Sequence, residues 1–248
     1  MRRLTLAIAL LAAPAWAQAA TPETGTYPAL TVTPDPLVDE FNRVEASSVA
    51  DALEQLYGLR NYLPHQFRPN QTAKFTGRAL TVYLRREEHK EGSPAQQGMI
   101  DAIDAGAPGS VYVMAMDGAD DFAGIGALMS TTMKARGFAG AIVDGGVRDT
   151  PALAKMQFPV FSRSVVPSTT VNHFRFAGSN IPVTIGGVRI EAGDIIVADM
   201  DGVVVVPKAK AAEVLAKARE LDNVEHAMYP FIERFRSLKA AVAQYGRL

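Results

Sequence analysis

An α/β domain is the fold class that this 248-residue sequence predicts, and three observations carry it. Strand-like apolar runs alternate with amphipathic helical segments. Residues 203–206 are four consecutive valines, the pattern of a strand buried on both faces. Glycine turns mark the junctions, as at Asp117-Gly118 and Asp144-Gly145-Gly146.

The elements follow in order. Residues 46–56 are predicted as a helix, with Val49, Leu53 and Leu56 on one face and Ser47 or Ser48 as N-cap. Residues 76–84 are predicted as a strand and 85–92 as a charged loop. A short helix over 99–105 ends at Gly106, and a strand over 110–116 is closed by the Asp117-Gly118 turn. A helix over 125–136 stops at Gly137, and a short buried strand over 140–143 runs into a glycine turn. Further strands are expected at 159–163, 183–190, 194–198 and 202–206. Residues 208–221 form an amphipathic helix with Val214, Leu215, Ala218 and Leu221 in line. A last helix is expected to begin near Pro230, a residue tolerated in a first turn. Its Phe231, Phe235, Leu238 and Tyr245 read as core or subunit interface.

Arg2 and Arg3 precede an apolar stretch over 6–13, and Ala15-Trp16-Ala17 and Ala17-Gln18-Ala19 then offer small-x-small cleavage sites. Residues 1–19 therefore read as a secretory signal peptide, the apolar stretch being too short for a membrane span. An uncut anchor is the alternative. Residues 20–39, rich in Thr and Pro, read as a tether, 40–225 as the α/β domain and 226–248 as a C-terminal helix. No later stretch reaches the roughly 18 apolar residues of a second span. The chain has no cysteine, which excludes a disulfide framework, and the exported product is expected in the periplasm. Loss of Arg2 and Arg3 takes the formal net charge from −1 to −3. A mildly acidic chain with no basic stripe is expected to bind no nucleic acid, and after cleavage no membrane.

One block could carry chemistry: Asp144-Gly145-Gly146-Val147-Arg148-Asp149, between a buried strand and a helical Thr-Pro-Ala-Leu segment. Its glycines let a ligand approach the main chain. The helix beginning near Thr150 directs unpaired amides at whatever sits there. Arg148 offers a planar fork that matches a carboxylate, and Asp149 a hard oxygen ligand for a cation such as Mg²⁺. A plain strand-turn-helix junction with a local ion pair is the competing reading. Gly124-Ile125-Gly126 precedes a helix at Ala127, so the amides of Ala127, Leu128 and Met129 could bind a carboxylate, or simply begin a helix. His65, His89, His173 and His226 show no zinc spacing, and whether His173 or Arg163 lines a pocket stays open. Asp199 and Asp201 fit a tight turn before Gly202.

These blocks, with residues 48–53, 107–111, 182–188 and 193–207, resemble the RraA-like family, which includes the regulator of ribonuclease activity and metal-dependent 4-hydroxy-4-methyl-2-oxoglutarate aldolases. The resemblance spans roughly residues 40–225. It implies a swivelling three-layer β/β/α domain, a homotrimer or hexamer, and sites at subunit interfaces. It further implies that Arg148 binds the substrate carboxylate and steadies a pyruvate enolate. Asp149 would ligate Mg²⁺ or Mn²⁺, and the amides of Ala127, Leu128 and Met129 would hold the pyruvyl carboxylate. A neighbouring subunit would add a glutamate, for which Glu225 and Glu220 are candidates. Two positions depart from the family: Ala127 stands where aldolases carry an acid, and Ala152 where the ribonuclease-regulator branch does. The expected function is an exported divalent-metal-dependent lyase on a small 2-oxo acid, of the aldolase or oxaloacetate decarboxylase type. The alternative is a non-catalytic trimer binding a small anion or a protein partner.

Overall fold

The computed structural model describes residues 30, 31 and 33–246, so the signal-peptide segment and most of the tether lie outside the described residues. The chain divides at Leu30, and the unit from Thr31 onward is built on one large mixed sheet. Its parallel strands are β2 (Phe75–Arg86), β3 (Ser110–Ile125), β4 (Gly140–Val147) and β5 (Val160–Val165), adjacent in chain order. Helices α3 (Gln97–Ala105), α4 (Ala127–Ala135) and α5 (Thr150–Met156) make the crossovers. Right-handed crossovers that step in one direction put all three helices on one face. Ile103, Met133 and Leu153 accordingly pack on Tyr112, Met114 and Val143.

The strands alternate faces, so Val111, Val113 and Ala115 point the other way. There they meet Val183, Ile185, Val188 and Ile190 of a separate hairpin, β7 (Val183–Ile185) and β8 (Val188–Ile190). The hairpin β9 (Ile195–Asp199) and β10 (Gly202–Val206) extends the large sheet beyond the start of β2. Ile195, Val197, Val204 and Val206 of this hairpin lie under α2 (Ala46–Tyr57) and α6 (Ala211–Phe235). Small sheet, large sheet and helices form the three-layer β/β/α arrangement. Both faces of β9 and β10 are covered, which is why their sequences read as unbroken apolar runs.

Several elements differ from expectation. The strand from Ser110 does not stop at Asp117-Gly118. Gly118, at φ 56°, bends it, and it continues beside β4 through Ala119↔Gly145 and Ala123↔Gly146. Gly145 and Gly146 permit this, since a Cβ on Gly145 would lie 3.0 Å from the Ala119 carbonyl oxygen. For the same reason β4 runs on to Val147, and the turn falls at Arg148-Asp149. Ile125 belongs to β3, and α4 begins at Ala127. Residues 183–190 form a hairpin rather than one strand, because Gly186 and Gly187 have φ of 55° and 84°. No helix begins at Pro230. It sits inside α6, which is already about five turns long when it reaches it and is followed by Phe231–Phe235 ring contact at 4.5 Å. The last helix is α7 (Leu238–Tyr245). The antiparallel strand β6 (Phe174–Ser179), on the second half of β2, was not anticipated, nor was the short edge strand β1 (Arg68–Pro69) on β5. No helix among the described residues is long and apolar enough to cross a membrane.

Residues 36–39, expected in the tether, belong to α1 (Pro36–Phe41), which buries Phe41 fully. Asp35 caps it by accepting from the Val38 amide at 3.3 Å, and it also accepts from Arg78 Nε at 2.6 Å. Partial burial would raise the Asp35 carboxyl, but the Arg78 and Val38 hydrogen bonds and the Arg78 charge bring it below its usual value. A depressed carboxyl stabilises the fold fully above its unfolded value and loses that contribution as pH falls through the folded one. The melting-temperature gap between wild type and Asp35→Asn is therefore expected to close below about pH 4. A gap that is constant with pH would mean that the Arg78 pair contributes nothing.

Candidate active site at the carboxyl ends of the parallel strands

The second halves of β3 and β4 and the end of β5 converge at the carboxyl edge of the parallel strands, where open α/β sheets place their ligand sites. Arg148 and Asp149 follow β4 directly. The Arg148 amide donates to the Ile125 carbonyl at 3.0 Å, which carries the turn up to the start of α4. Asp149 takes the left-handed conformation, φ 59°, and precedes α5. This bend aims its carboxylate sideways, so that the Ala127 N–H donates to Oδ2 at 2.9 Å. One residue thus precedes α5 and caps the start of α4.

Gly126 makes the approach possible. A Cβ there would lie 2.8 Å from Asp149 Oδ2 and 3.1 Å from Arg148 Cγ. The two side chains remain open to solvent, at 43% for Arg148 and 47% for Asp149. Arg148 Nε lies 3.9 Å from Asp149 Oδ2, and its Nη1 donates to the Ser168 carbonyl at 3.2 Å. The guanidinium is therefore hydrogen-bonded to a neutral acceptor, with the Asp149 carboxylate as a longer-range ion-pair partner. Leu128, in the first turn of α4, is 87% exposed. The structure thus brings Arg148, Asp149 and the first turn of α4 together. The Ala127 amide serves the Asp149 carboxylate, so Leu128 and Met129 carry the remaining amides of that first turn, which have no acceptor within the helix.

Other residues singled out in the sequence fall elsewhere. Arg163 on β5 is engaged by two carboxylates, Asp144 Oδ1 at 3.2 Å and Asp120 Oδ1 at 2.8 Å, which spend its charge. Asp144 is only 13% exposed, and burial raises its carboxyl, with Arg163 opposing. His173 lies 2.7 Å from Glu88 and packs against Phe122 at a tilt of 51°, ring centroids 4.9 Å apart. Asp199 caps α2 by accepting from the Ala46 amide at 2.9 Å, and its Oδ1 accepts from the Asp201 amide at 3.0 Å, as the turn reading required. Glu225 lies on α6, in the helical layer over β9 and β10, where it accepts from the Tyr229 hydroxyl at 2.6 Å. Ser168 escaped sequence reading, because Val166-Pro167-Ser168 carries no motif and its partners are 20 to 47 residues away.

Among the described residues, no group of three or more His, Cys, Asp or Glu comes together to hold a metal ion. Asp149 is a lone carboxylate beside Arg148. A closed protein cage is thus excluded within the described chain, whereas a cation that keeps most of its waters and takes one or two carboxylates fits. Mg²⁺ and Mn²⁺ are of that kind.

The β/β/α layers and the exposed arginine and carboxylate at a helix start are those of one known family. The chain belongs to the RraA-like family: the family model, described as Aldolase/RraA, matches residues 46–205. It is 33% identical over 187 residues to a Halalkalibacterium halodurans protein named "Putative 4-hydroxy-4-methyl-2-oxoglutarate aldolase", covering 74% of this chain and 82% of that one. Among solved structures, an uncharacterized protein from Pseudomonas syringae superposes with a TM-score of 0.75 at 28% identity. That match covers 85% of this chain and 98% of the other. A Streptomyces coelicolor protein described as an unusual member of the RNase ES inhibitor RraA family superposes with a TM-score of 0.69 at 26% identity. It covers 84% of this chain and 100% of its own.

Proposed function

We propose that the chain is an exported, periplasmic carbon–carbon lyase acting on a small 2-oxo acid with Mg²⁺ or Mn²⁺, assembled as a homotrimer or hexamer. The observation that supports this most is Arg148, charged, exposed and oriented by the Ser168 carbonyl beside the Asp149 carboxylate. The aldolase name of the H. halodurans relative points the same way.

Arg148 would take the substrate carboxylate through its fork and meet the negative charge that develops on the keto oxygen. The amides of Leu128 and Met129, at the positive end of α4, would hold the rest of the carboxylate. Asp149 would hold the divalent cation, which supplies Lewis-acid polarisation of the keto oxygen when bound. Glu225 of a neighbouring copy is the candidate for a second acidic group.

Ala127 bears on which reaction this is. Retro-aldol cleavage needs a base to take the proton of the substrate hydroxyl, and Ala127 offers none. Decarboxylation of a 2-oxo acid with a second, β-carboxylate starts without a base. The bond to CO₂ breaks, its electron pair forms the carbon–carbon double bond of the enolate while the carbonyl π pair moves onto the keto oxygen, and protonation of that carbon from water restores the keto group. Decarboxylation therefore suits these residues better. Ala127 also favours the second reading, a non-catalytic binder of a small anion or a protein partner.

The deciding experiment uses mature protein recovered from the periplasm of an expressing host. Pyruvate release is measured from oxaloacetate and from 4-hydroxy-4-methyl-2-oxoglutarate, with Mg²⁺ or Mn²⁺ and with EDTA. Metal-dependent pyruvate above the free-metal background, larger for oxaloacetate, is the expected result. Background rates with both substrates would overturn the lyase and leave the binder.

A further inference from the structure

The segment from Val166 to His173, between β5 and β6, has a job that its sequence does not advertise. It is fixed at three points. The Val166 amide donates to the Val147 carbonyl at 3.0 Å, one residue before Arg148. At the far end, the Thr170 carbonyl accepts from Gln96 Nε2 at 3.0 Å, and Phe174 packs edge-on against Phe122 at 5.3 Å. Between these ends, the Ser168 hydroxyl donates to the Asp121 carbonyl at 2.6 Å and accepts from the Ala123 amide at 3.2 Å. Both partners lie on the outer part of β3, the stretch past Gly118.

The carbonyl of the same Ser168 accepts from Arg148 Nη1. The serine is thus bonded through its side chain to one strand and through its main chain to the arginine that follows another. We propose that Ser168 is a positioning residue for Arg148. Its hydroxyl holds the 168 peptide against β3, and the peptide carbonyl sets the plane of the guanidinium so that the other donors face the first turn of α4. The proposal deepens the assigned site and rests on Arg148 being the carboxylate-binding group.

The choice of a carbonyl matters chemically. Arg163, three residues after Val160 on β5, is held by Asp144 and Asp120 and has little charge to offer. A carboxylate in place of the Ser168 carbonyl would orient Arg148 equally well but compete with an anionic substrate. A neutral oxygen fixed by a serine clamp orders the fork without cancelling it, and preordering is what lowers the cost of binding. Because Val166 and Thr170 are bonded independently, loss of the hydroxyl frees one peptide rather than the whole segment.

The test compares wild type, Ser168→Ala, Ser168→Thr and Arg148→Ala by nitrogen-15 NMR, the Arg148 Nε–H signal being assigned by its loss in Arg148→Lys. In Ser168→Ala, the Ala123 amide is expected to exchange faster and the Arg148 Nε–H to relax as a freely moving side chain. Ser168→Thr, which keeps the hydroxyl, should restore both. Oxalate, a planar stand-in for the carboxylate and keto oxygens, is then titrated with Mg²⁺. Ser168→Ala should weaken it roughly three- to tenfold, but not when Arg148 is already alanine. Unchanged Arg148 relaxation in Ser168→Ala overturns the proposal, as does a loss of oxalate affinity of the same size in the Arg148→Ala background. Absence of oxalate binding to wild type would instead count against the carboxylate site, while the relaxation data still decide the role of Ser168.

Discussion

Arg148→Ala is expected to lower metal-dependent pyruvate release about 100- to 1,000-fold, the range seen when one donor to a developing oxyanion is removed. Stability should barely change. The side chain is 43% exposed and its one strong partner is a main-chain carbonyl, so the fold loses little when it goes. Unfolding in urea should shift by no more than about 0.5 kcal/mol. Arg148→Lys restores the charge without the planar fork, and it should recover only a minor part of the activity. The comparison separates geometry from charge. Undiminished turnover in Arg148→Ala would remove this residue from the chemistry, and equal turnover in the lysine variant would show that charge alone suffices.

Asp149→Asn isolates the cation from the architecture. Asparagine still offers an oxygen to the Ala127 amide and tolerates the left-handed backbone that Asp149 adopts at φ 59°. The α4 start should therefore survive, while the negative charge that draws a hard cation is gone. The Mg²⁺ concentration for half-maximal activity is expected to rise about tenfold or more, in line with the dependence of such sites on ligand charge. Asp149→Ala should fare worse in a second respect. It uncaps the first turn of α4 and strains the backbone, at a cost of about 1 kcal/mol from the cap alone. If the Mg²⁺ dependence of Asp149→Asn matches wild type, the carboxylate is a structural cap and nothing more.

How much of this was legible varies by residue, and for physical reasons. Arg148 and Asp149 stood out because a buried strand, a glycine pair and a helix start within ten residues can only make a turn with exposed polar ends. The nearness of Ala127 to Asp149 was implied by family resemblance, but the hydrogen bond between them was not. That bond depends on the left-handed turn at Asp149 and on Gly126 having no side chain. Asp117-Gly118 misled because the pair is a strong turn signal in isolation. Pairing of residues 119–125 with β4 outweighed it, and that pairing needs two glycines nearly thirty residues away. Pro230 misled in the opposite sense, a local helix breaker overruled by the helix already formed before it.

The sequence by itself determined the alternation of strands and helices, the buried character of β10, and the pairing of an arginine with a carboxylate at a strand end. All of these are properties of short windows, where apolar periodicity and glycine position suffice. Only the tertiary structure decided that Arg163 is neutralised by Asp144 and Asp120, that Arg148 is oriented by the Ser168 carbonyl, and that the outer half of β3 carries Ser168 to it. Those contacts join residues 19 to 47 positions apart. Hydrogen bonds of that reach form only once the sheet has set the register of its strands, and no local pattern encodes them.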